Sequence, residues 1–229
     1  MELIPFAFAG FVILAIALGI YGWKMAKQRR EALRALANEL GLRFCPDEDH
    51  QHDDRYPQFA CFQRGHSRYA YNTLRGDTQL FERPCRIVAG DFHYKTDDAD
   101  GKSTTTHTFS FLLVHPPWPS PTLLVRPEGL LDKLAGVVGV DDIDFESDEF
   151  SKRFWVKSSD KRFAYDVLHP RMMEFLLAER PPALELEDGA LCISDGSADW
   201  RPETFRARFE FLRRFAALWP RHLVKDLEA

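Results

Sequence analysis

Cysteine is scarce in this sequence, and no two cysteines are close enough to form a shared site. Cys45, Cys61, Cys85 and Cys192 are far apart and make no C-x-x-C pair. A zinc knuckle or a dithiol redox centre requires such a pair, so the sequence excludes both. We expect four reduced, packed thiols in a cytosolic compartment, and we expect no cofactor.

The chain also lacks an excess of basic residues. It has 30 lysine and arginine residues against 35 aspartate and glutamate residues, a formal net charge of −5. Proteins that bind nucleic acid need a basic surface to neutralise phosphates. We therefore expect no nucleic-acid partner.

Hydrophobic runs long enough to span a membrane are absent except at the N-terminus, where residues 3–23 contain no charged side chain. At about 1.5 Å per residue, a helix of this length crosses the roughly 30 Å hydrocarbon layer. Glu2 stands where a signal peptide has basic residues, and the run ends in Trp23-Lys24-Met25 rather than in a small-x-small cleavage site, which argues against a cleaved signal peptide. The run predicts a single transmembrane anchor that has the lipid bilayer as its partner.

Charge next to this run predicts its orientation. Only Glu2 precedes it, whereas several basic residues follow directly. Basic residues stay on the cytoplasmic side of a membrane. The pattern predicts a single-pass protein of the inner (plasma) membrane, with its N-terminus outside and its C-terminal domain in the cytoplasm. The residues concerned are Lys24, Lys27, Arg29, Arg30 and Arg34.

The remainder divides into a juxtamembrane helix, residues 24–41, and an α+β domain, residues 42–229. Leucines at near-helical spacing predict the helix, which ends at Gly41 and serves as a stalk or packs on the domain. Strand patterns come first in the domain and helical patterns later, which is typical of antiparallel hairpins followed by helices rather than a doubly wound sheet. A long amphipathic C-terminal helix begins at Pro202.

Several shorter elements are predicted within the domain. Residues 59–64 and 68–74 read as a hairpin around Gly65, and residues 184–186 and 191–194 as another around Gly189. Leucines in 130–134 predict a helix, and Asp160 is a good N-cap for a further one.

Pleat parity predicts the register of a long hairpin formed by residues 85–95 and 104–115. Large apolar residues are even-numbered on the first strand, as at Phe92, and odd-numbered on the second, as at Phe109. Paired residues should therefore have numbers that add up to an odd value, near 199. His93 and His107 would then point to opposite faces and form no joint site.

Several stretches of the chain together form a recognisable pattern. They are Leu-Gly-x-x-Phe at 40–44, Asn72 to Gly76, the Asp-Ile-Asp-Phe-Glu-Ser block at 142–147, Phe150, Phe154, Val156, Asp160, Ala164 and the block at 169–173. In these residues the chain resembles a family of bacterial single-pass membrane-anchored proteins of unknown function. The resemblance implies an architecture of anchor, leucine-rich stalk and domain, and implies no mechanism.

Two motifs suggest ligands but depart from the patterns that they resemble. Gly101-Lys-Ser-Thr looks like the end of a phosphate-binding loop, yet Thr96 stands where the first glycine belongs, so we expect a hairpin tip. The acidic residues of 142–148 alternate like a calcium loop, but Ser147 and Arg153 replace its glycine and bidentate glutamate. We expect a solvated loop. The acidic residues are Asp142, Asp144, Glu146 and Asp148.

A third group, His50, His52, Asp53 and Asp54, has the side chains that a divalent metal prefers. It lies in a polar loop with no third imidazole in register. We therefore assign no metal site, although the pattern leaves one open.

Basic residues on the C-terminal helix suggest contact with a membrane surface, but its broad aromatic stripe favours packing on its own domain. The basic residues are Arg206, Arg208, Arg213 and Arg214.

No residue set reaches a catalytic signature, so the catalytic residues are unknown. No serine lies in a Gly-x-Ser-x-Gly elbow, and no cysteine has a local partner. The preferred hypothesis is a membrane-anchored cytoplasmic binding or scaffold module, with a protein partner or membrane complex. The alternative is a membrane-tethered hydrolase whose aspartate and histidine meet only in the fold, and His93 or His169 within about 3 Å of a carboxylate would favour it.

Overall fold

The computed structural model describes residues 3–128, 143 and 145–228, and within them the side chains of residues 14–227. These residues form eight strands, seven α-helices and one 3₁₀ helix, Ala60–Gln63. The strands are β1 Arg43–Cys45, β2 His66–Leu80, β3 Arg83–Asp97, β4 Thr104–His115, β5 Leu123–Pro127, β6 Phe154–Ser158, β7 Leu184–Glu187 and β8 Ala190–Ile193. The helices are α1 Leu3–Glu39, α2 His52–Arg55, α3 Asp148–Arg153, α4 Lys161–Val167, α5 Pro170–Glu179, α6 Pro202–Leu218 and α7 Arg221–Glu228.

All eight strands form one sheet, in the order β1-β2-β3-β4-β8-β7-β5-β6, and every neighbouring pair is antiparallel. The α+β expectation is confirmed. The sheet is covered on both faces, because residues of β3 are buried without interruption from Ile87 to Tyr94. One core contains residues of α1 and α3–α7, and a smaller aromatic core lies under α2 and the 3₁₀ helix.

The hairpin of β3 and β4 confirms the predicted parity. Paired residues add up to 201, as for Phe92 and Phe109, so the sum is odd and the pairing lies two residues from the predicted value. Side chains therefore keep their predicted faces: Phe92, Phe109 and Phe111 enter the aromatic core, whereas Ile87 enters the larger one.

The prediction of a hairpin at residues 59–74 is wrong. Residues 60–63 form the 3₁₀ helix, and β2 runs on past Leu74 to Leu80 before pairing with β3. The reversal is made by Phe81 and Glu82, whose φ values are 53° and 61°. Two central residues with positive φ are characteristic of a tight type I′ hairpin turn, for which glycine and asparagine are the usual residues. This turn has neither.

The transmembrane prediction for residues 3–23 is also wrong. Among the residues that the structure describes, no helix is long and apolar enough to cross a membrane. From Leu14 the described side chains stay uncharged for only ten residues, up to Lys24, which is about 15 Å of helix and half of the hydrocarbon layer. The assignments to a single-pass protein and to the inner membrane, which depended on that anchor, are withdrawn.

Helix α1 runs without a break from Leu3 to Glu39, and its C-terminal end packs on the sheet. Leu33, Leu36 and Ala37 are buried in the larger core. Of the two roles expected for residues 24–41, a stalk or a packed helix, the structure has the packed helix at this end. The helix predicted around Leu130 lies outside the described residues.

The C-terminal helix α6 packs on its own domain, as its aromatic stripe indicates. The stripe of Phe205, Phe209, Leu212, Ala216 and Trp219 is buried. Two of its basic residues form ion pairs with neighbouring helices: Arg206 with Glu39 at 2.5 Å and Arg214 with Glu179 at 2.7 Å.

Asp160 caps α4 as predicted, because its Oδ1 accepts hydrogen bonds from the backbone N–H groups of Arg162 and Phe163 at 2.8 and 3.2 Å. Removing an N-cap oxygen leaves those donors unpaired. We expect Asp160→Ala to lower the free energy of unfolding by about 1 kcal/mol. Asp166→Ala, in the same helix but without a cap role, should cost less than about 0.5 kcal/mol. Denaturant unfolding measures both, and equal losses would contradict the cap.

Candidate functional site

Exposed apolar side chains are concentrated in one segment of α1. Seven of the eight large apolar residues that are exposed in the described part of the chain lie between Leu14 and Met25, and the eighth is Tyr165. Their exposed fractions range from 48% to 64%. Soluble surfaces rarely gather such residues in one place unless the place is an interaction site. We call residues 14–25 the apolar segment.

The seven side chains form two stripes on opposite sides of the helix. Leu14, Leu18, Tyr21 and Met25 are spaced by four, three and four residues, so they share one face. Ile16, Ile20 and Trp23 occupy the opposite face. The first stripe continues toward Arg29 and Leu36, which are on the side that docks on the domain.

Arg29 fixes the base of this segment to the sheet. Its Nε and Nη2 donate to the two carboxylate oxygens of Asp91, at 2.9 and 2.6 Å, and its Nη1 donates to the carbonyl of Trp200 at 2.8 Å. Asp91 lies on β3 and is fully buried, whereas the Arg29 side chain is 24% exposed. Burial lowers the pKa of Arg29, but the hydrogen bond and charge of Asp91 outweigh it and the pKa is raised.

Two further side chains complete the shell of Asp91. Asn72 donates from Nδ2 at 3.0 Å and Ser110 from Oγ at 2.7 Å. Asn72 reaches Asp91 because it stands at an irregularity of β2, where its φ is 50° and the register with β3 shifts. The buried carboxylate thus joins α1, β2, β3 and β4. Sequence reasoning missed this group, since its members are up to 81 residues apart.

The structure separates the histidine and aspartate residues of 50–54. His52 is fully buried in the aromatic core, with its ring centroid 4.6 Å from those of both Phe62 and Phe111. Neither ring nitrogen has a hydrogen-bond partner. Burial lowers the pKa of His52 to about 3, so the ring is neutral at ordinary pH.

The other members of that group have different environments. His50 is exposed and lies 3.2 Å from Glu48, while Asp53 is buried and accepts from Arg68 Nε at 2.7 Å. Asp54 is exposed on α2. No three metal-ligating side chains come together in the described residues. The group is therefore a short helix that buries His52 and Asp53, with His50 exposed before it, rather than a polar loop.

The two motif-like stretches have structural roles. Gly101, with a φ of 64°, forms the tip between β3 and β4, as expected. Ser147 caps α3, because its Oγ accepts from the backbone N–H of Phe150 at 3.3 Å, and Asp148 opens that helix. Asp142 and Asp144 lie outside the described residues.

The two histidines of the long hairpin point to opposite faces, as predicted. His93 stacks on Tyr69 with ring centroids 4.4 Å apart, while His107 stacks on Tyr94 at 4.7 Å on the other face. The register pairs His93 with Thr108, two residues from the predicted partner.

Backbone carbonyls, not carboxylates, bind the two histidines named for the hydrolase hypothesis. His93 Nδ1 lies 3.1 Å from the carbonyl oxygen of Ser67, and His169 Nε2 lies 3.0 Å from that of Leu218. His169 also caps α5. The geometry that would favour a hydrolase is thus not formed at either residue.

The chain matches no protein-family model and no curated protein. It is similar in fold to one solved structure, the crystal structure of the mycobacterial trehalose monomycolate transport factor A, TtfA. The TM-score is 0.54 at 13% sequence identity, over 84% of this chain and 91% of that chain. At this identity the likeness shows the fold alone. The family resemblance drawn from the sequence stays a prediction.

Loss of the Arg29 side chain should detach α1 from the sheet. Arg29→Met leaves Asp91 buried with only neutral partners, and breaking a buried pair in this way costs about 3 kcal/mol. Arg30→Met removes an exposed neighbour and should change the free energy of unfolding by less than about 0.5 kcal/mol. Denaturant unfolding, together with amide hydrogen exchange in residues 29–37, measures both effects. Equal stabilities of the two variants would show that the pair does not hold the helix.

His52 should make the protein sensitive to acid. The unfolded chain binds a proton at His52 below a pKa of 6.5, whereas the folded chain does so only below about 3. Unfolding therefore takes up a proton in this window, and stability falls by about 1.4 kcal/mol per pH unit as the pH drops from 6.5 to 3. Between pH 7 and pH 5 the loss is about 2 kcal/mol. His115, whose pKa is also lowered, adds a loss of the same sign.

Replacing the ring isolates this effect. His52→Phe should show a smaller fall in unfolding free energy between pH 7 and pH 5 than the parent does, whatever its stability at pH 7. His50→Gln, which changes an exposed imidazole, should retain the slope of the parent. An unchanged slope in His52→Phe would mean that acid acts elsewhere.

Proposed function

We propose that this protein is a binding or scaffold module in which the apolar segment of α1 binds a partner protein. The observation that carries the proposal is the gathering of seven exposed large apolar residues on residues 14–25, next to a rigid attachment at Arg29. A helix held at one end by a buried ion pair presents its side chains in a defined direction. Little ordering entropy remains to be lost there when a partner binds.

The two stripes indicate the partner's shape. Residues at 14, 18, 21 and 25 have the spacing that packs into the holes of a neighbouring helix. Because Ile16, Ile20 and Trp23 lie on the opposite face, both sides of α1 have apolar surface to bury. A partner that offers a groove between two helices would cover both stripes.

The fold comparison supports the same class of role. The protein of similar fold is titled a transport factor, and a scaffold that engages another protein fits such a description. No observation on the described residues favours the hydrolase hypothesis at His93 or His169, so we propose no second function.

Site-specific crosslinking in the full-length protein tests the partner. A photoreactive residue at Leu18 should give a discrete adduct with one other protein. The same residue at Arg162 should give none, because α4 packs on β6, at the edge of the sheet opposite β1. Leu14→Ser together with Tyr21→Ser should reduce the yield of the adduct about tenfold, since buried interface anchors carry most of a binding energy.

Arg30→Gln is the matched control, because it changes an exposed residue on the same helix and should leave the adduct unchanged. Adducts of the chain with itself alone would indicate self-association instead, and adducts with lipid alone would contradict a protein partner.

A further inference from the structure

A second surface carries an unexplained concentration of positive charge. Arg43, Arg55, Arg75 and Arg86 line one cleft of about 340 Å³ at the edge of the sheet that ends in β1. We call it the arginine cleft. The whole chain has a net charge of −5, so the positive charge of this cleft is opposite in sign to the net charge of the protein.

Strand pairing brings these residues together. Arg43 of β1 is paired with Arg75 of β2, and Arg75 with Val88 of β3. One step along the same face, Asp77 is paired with Arg86, and Arg86 with His115 of β4. Cross-strand partners point to the same side of a sheet, so the three strands present their arginines to one face.

Helix α2 closes the cleft from above. It contributes Arg55 and is followed by Tyr56, whose ring lies 5.5 Å from that of His115. Arg55 and Arg75 both bind the same carboxylate oxygen of Asp49. Asp77 is the carboxylate that lines the arginine cleft, while Asp47, Glu48 and Asp49 line an adjoining cleft that shares Arg43, Arg55 and Arg75.

Part of the positive charge of the cleft has no carboxylate partner among the described residues. Like charges directly across a pair of strands are destabilising, as at Arg43 and Arg75. No ion pair with Arg43 or Arg86 is formed among the residues that the structure describes. A bound anion would remove the repulsion and supply acceptors for these donors.

Two buried nitrogens next to the cleft also have no partner. They are Nε of Arg75 and Nε2 of His115. His115 Nδ1 lies 3.4 Å from the carbonyl oxygen of Arg86, and because a carbonyl only accepts, the Nδ1 carries the proton and Nε2 is an acceptor. The cleft thus offers guanidinium donors, and the neutral acceptor of His115 lies on the same face, opposite Arg86.

From this geometry we propose that the arginine cleft binds a phosphate monoester. Guanidinium groups match the oxygens of a phosphate in pairs, and its two negative charges balance the excess of positive charge in the cleft. The volume accommodates a phosphate with a small organic group attached. That group is a free metabolite or the headgroup of a lipid, and both have the same recognition chemistry.

Titration of the full-length protein with glycerol 3-phosphate tests the site. Calorimetry should detect binding at millimolar concentration or below, and inorganic phosphate should compete. Glycerol and sodium chloride at equal ionic strength should not. If chloride stabilises the protein against heat as much as the phosphate does, the effect is screening and the site does not exist.

Variants locate the binding. Arg43→Gln and Arg86→Gln change exposed side chains, so the fold should be retained, and each should weaken binding about tenfold. Arg162→Gln, whose side chain is 92% exposed on α4, should bind like the parent. Equal affinity of all three variants would overturn the proposal.

Vesicles of phosphatidylcholine with phosphatidic acid distinguish the two sources. Sedimentation with these vesicles that is lost in Arg43→Gln and Arg86→Gln indicates a lipid headgroup. Binding of glycerol 3-phosphate without such sedimentation indicates a free metabolite. Both outcomes support the site, and neither depends on the partner of the apolar segment.

Discussion

The buried carboxylate of Asp91 is the constraint on which the arrangement of this fold depends. A charge without exposure needs an opposite charge and further hydrogen bonds, and the domain strands supply only the neutral groups of Asn72 and Ser110. The positive charge comes from Arg29, so α1 has to lie against the sheet for the Asp91 carboxylate to have an ion-pair partner. The N-terminal helix is therefore part of the folded unit, and its apolar segment projects from a fixed base.

The same carboxylate explains the irregularity in β2. Asn72 takes a positive φ, and the register between β2 and β3 shifts beside it. Gly90 of β3 lies opposite, and a Cβ atom there would come within 3.0 Å of the Tyr71 carbonyl oxygen. The close approach of the two strands thus needs glycine at 90, next to the residue that Asn72 contacts. A backbone irregularity and a glycine together bring the amide to the charge.

Sequence patterns predicted the elements whose physics is local. Parity along β3 and β4 was predictable because each strand alternates large apolar residues, although a shift of two residues retains the parity and was not resolved. The Asp160 cap was also predictable, because an N-cap depends only on the residue itself and the first turn of its helix. The turn at Phe81 and Glu82 was not predictable, since neither residue type commonly has a positive φ. The prediction placed the turn at Gly65 instead, because glycine is a usual turn residue. The anchor was inferred from residues 3–23, of which the described side chains cover only the second half.

The arginine cleft was not predictable from local spacing. His50 and His52 are neighbours in sequence, yet one is exposed and the other buried. Arg43, Arg75 and Arg86 are far apart and share a face only because three strands pair in one register. Basic residues on an edge strand discourage pairing with another chain, and this protection is enough to explain an arginine at position 43 on β1. It does not extend to Arg75 and Arg86, because β2 and β3 are interior strands. Arg75 and Arg86 lie on interior strands and share one face with Arg43, so their like charges repel. A bound anion would offset this repulsion, which is a reason for the three arginines to lie together.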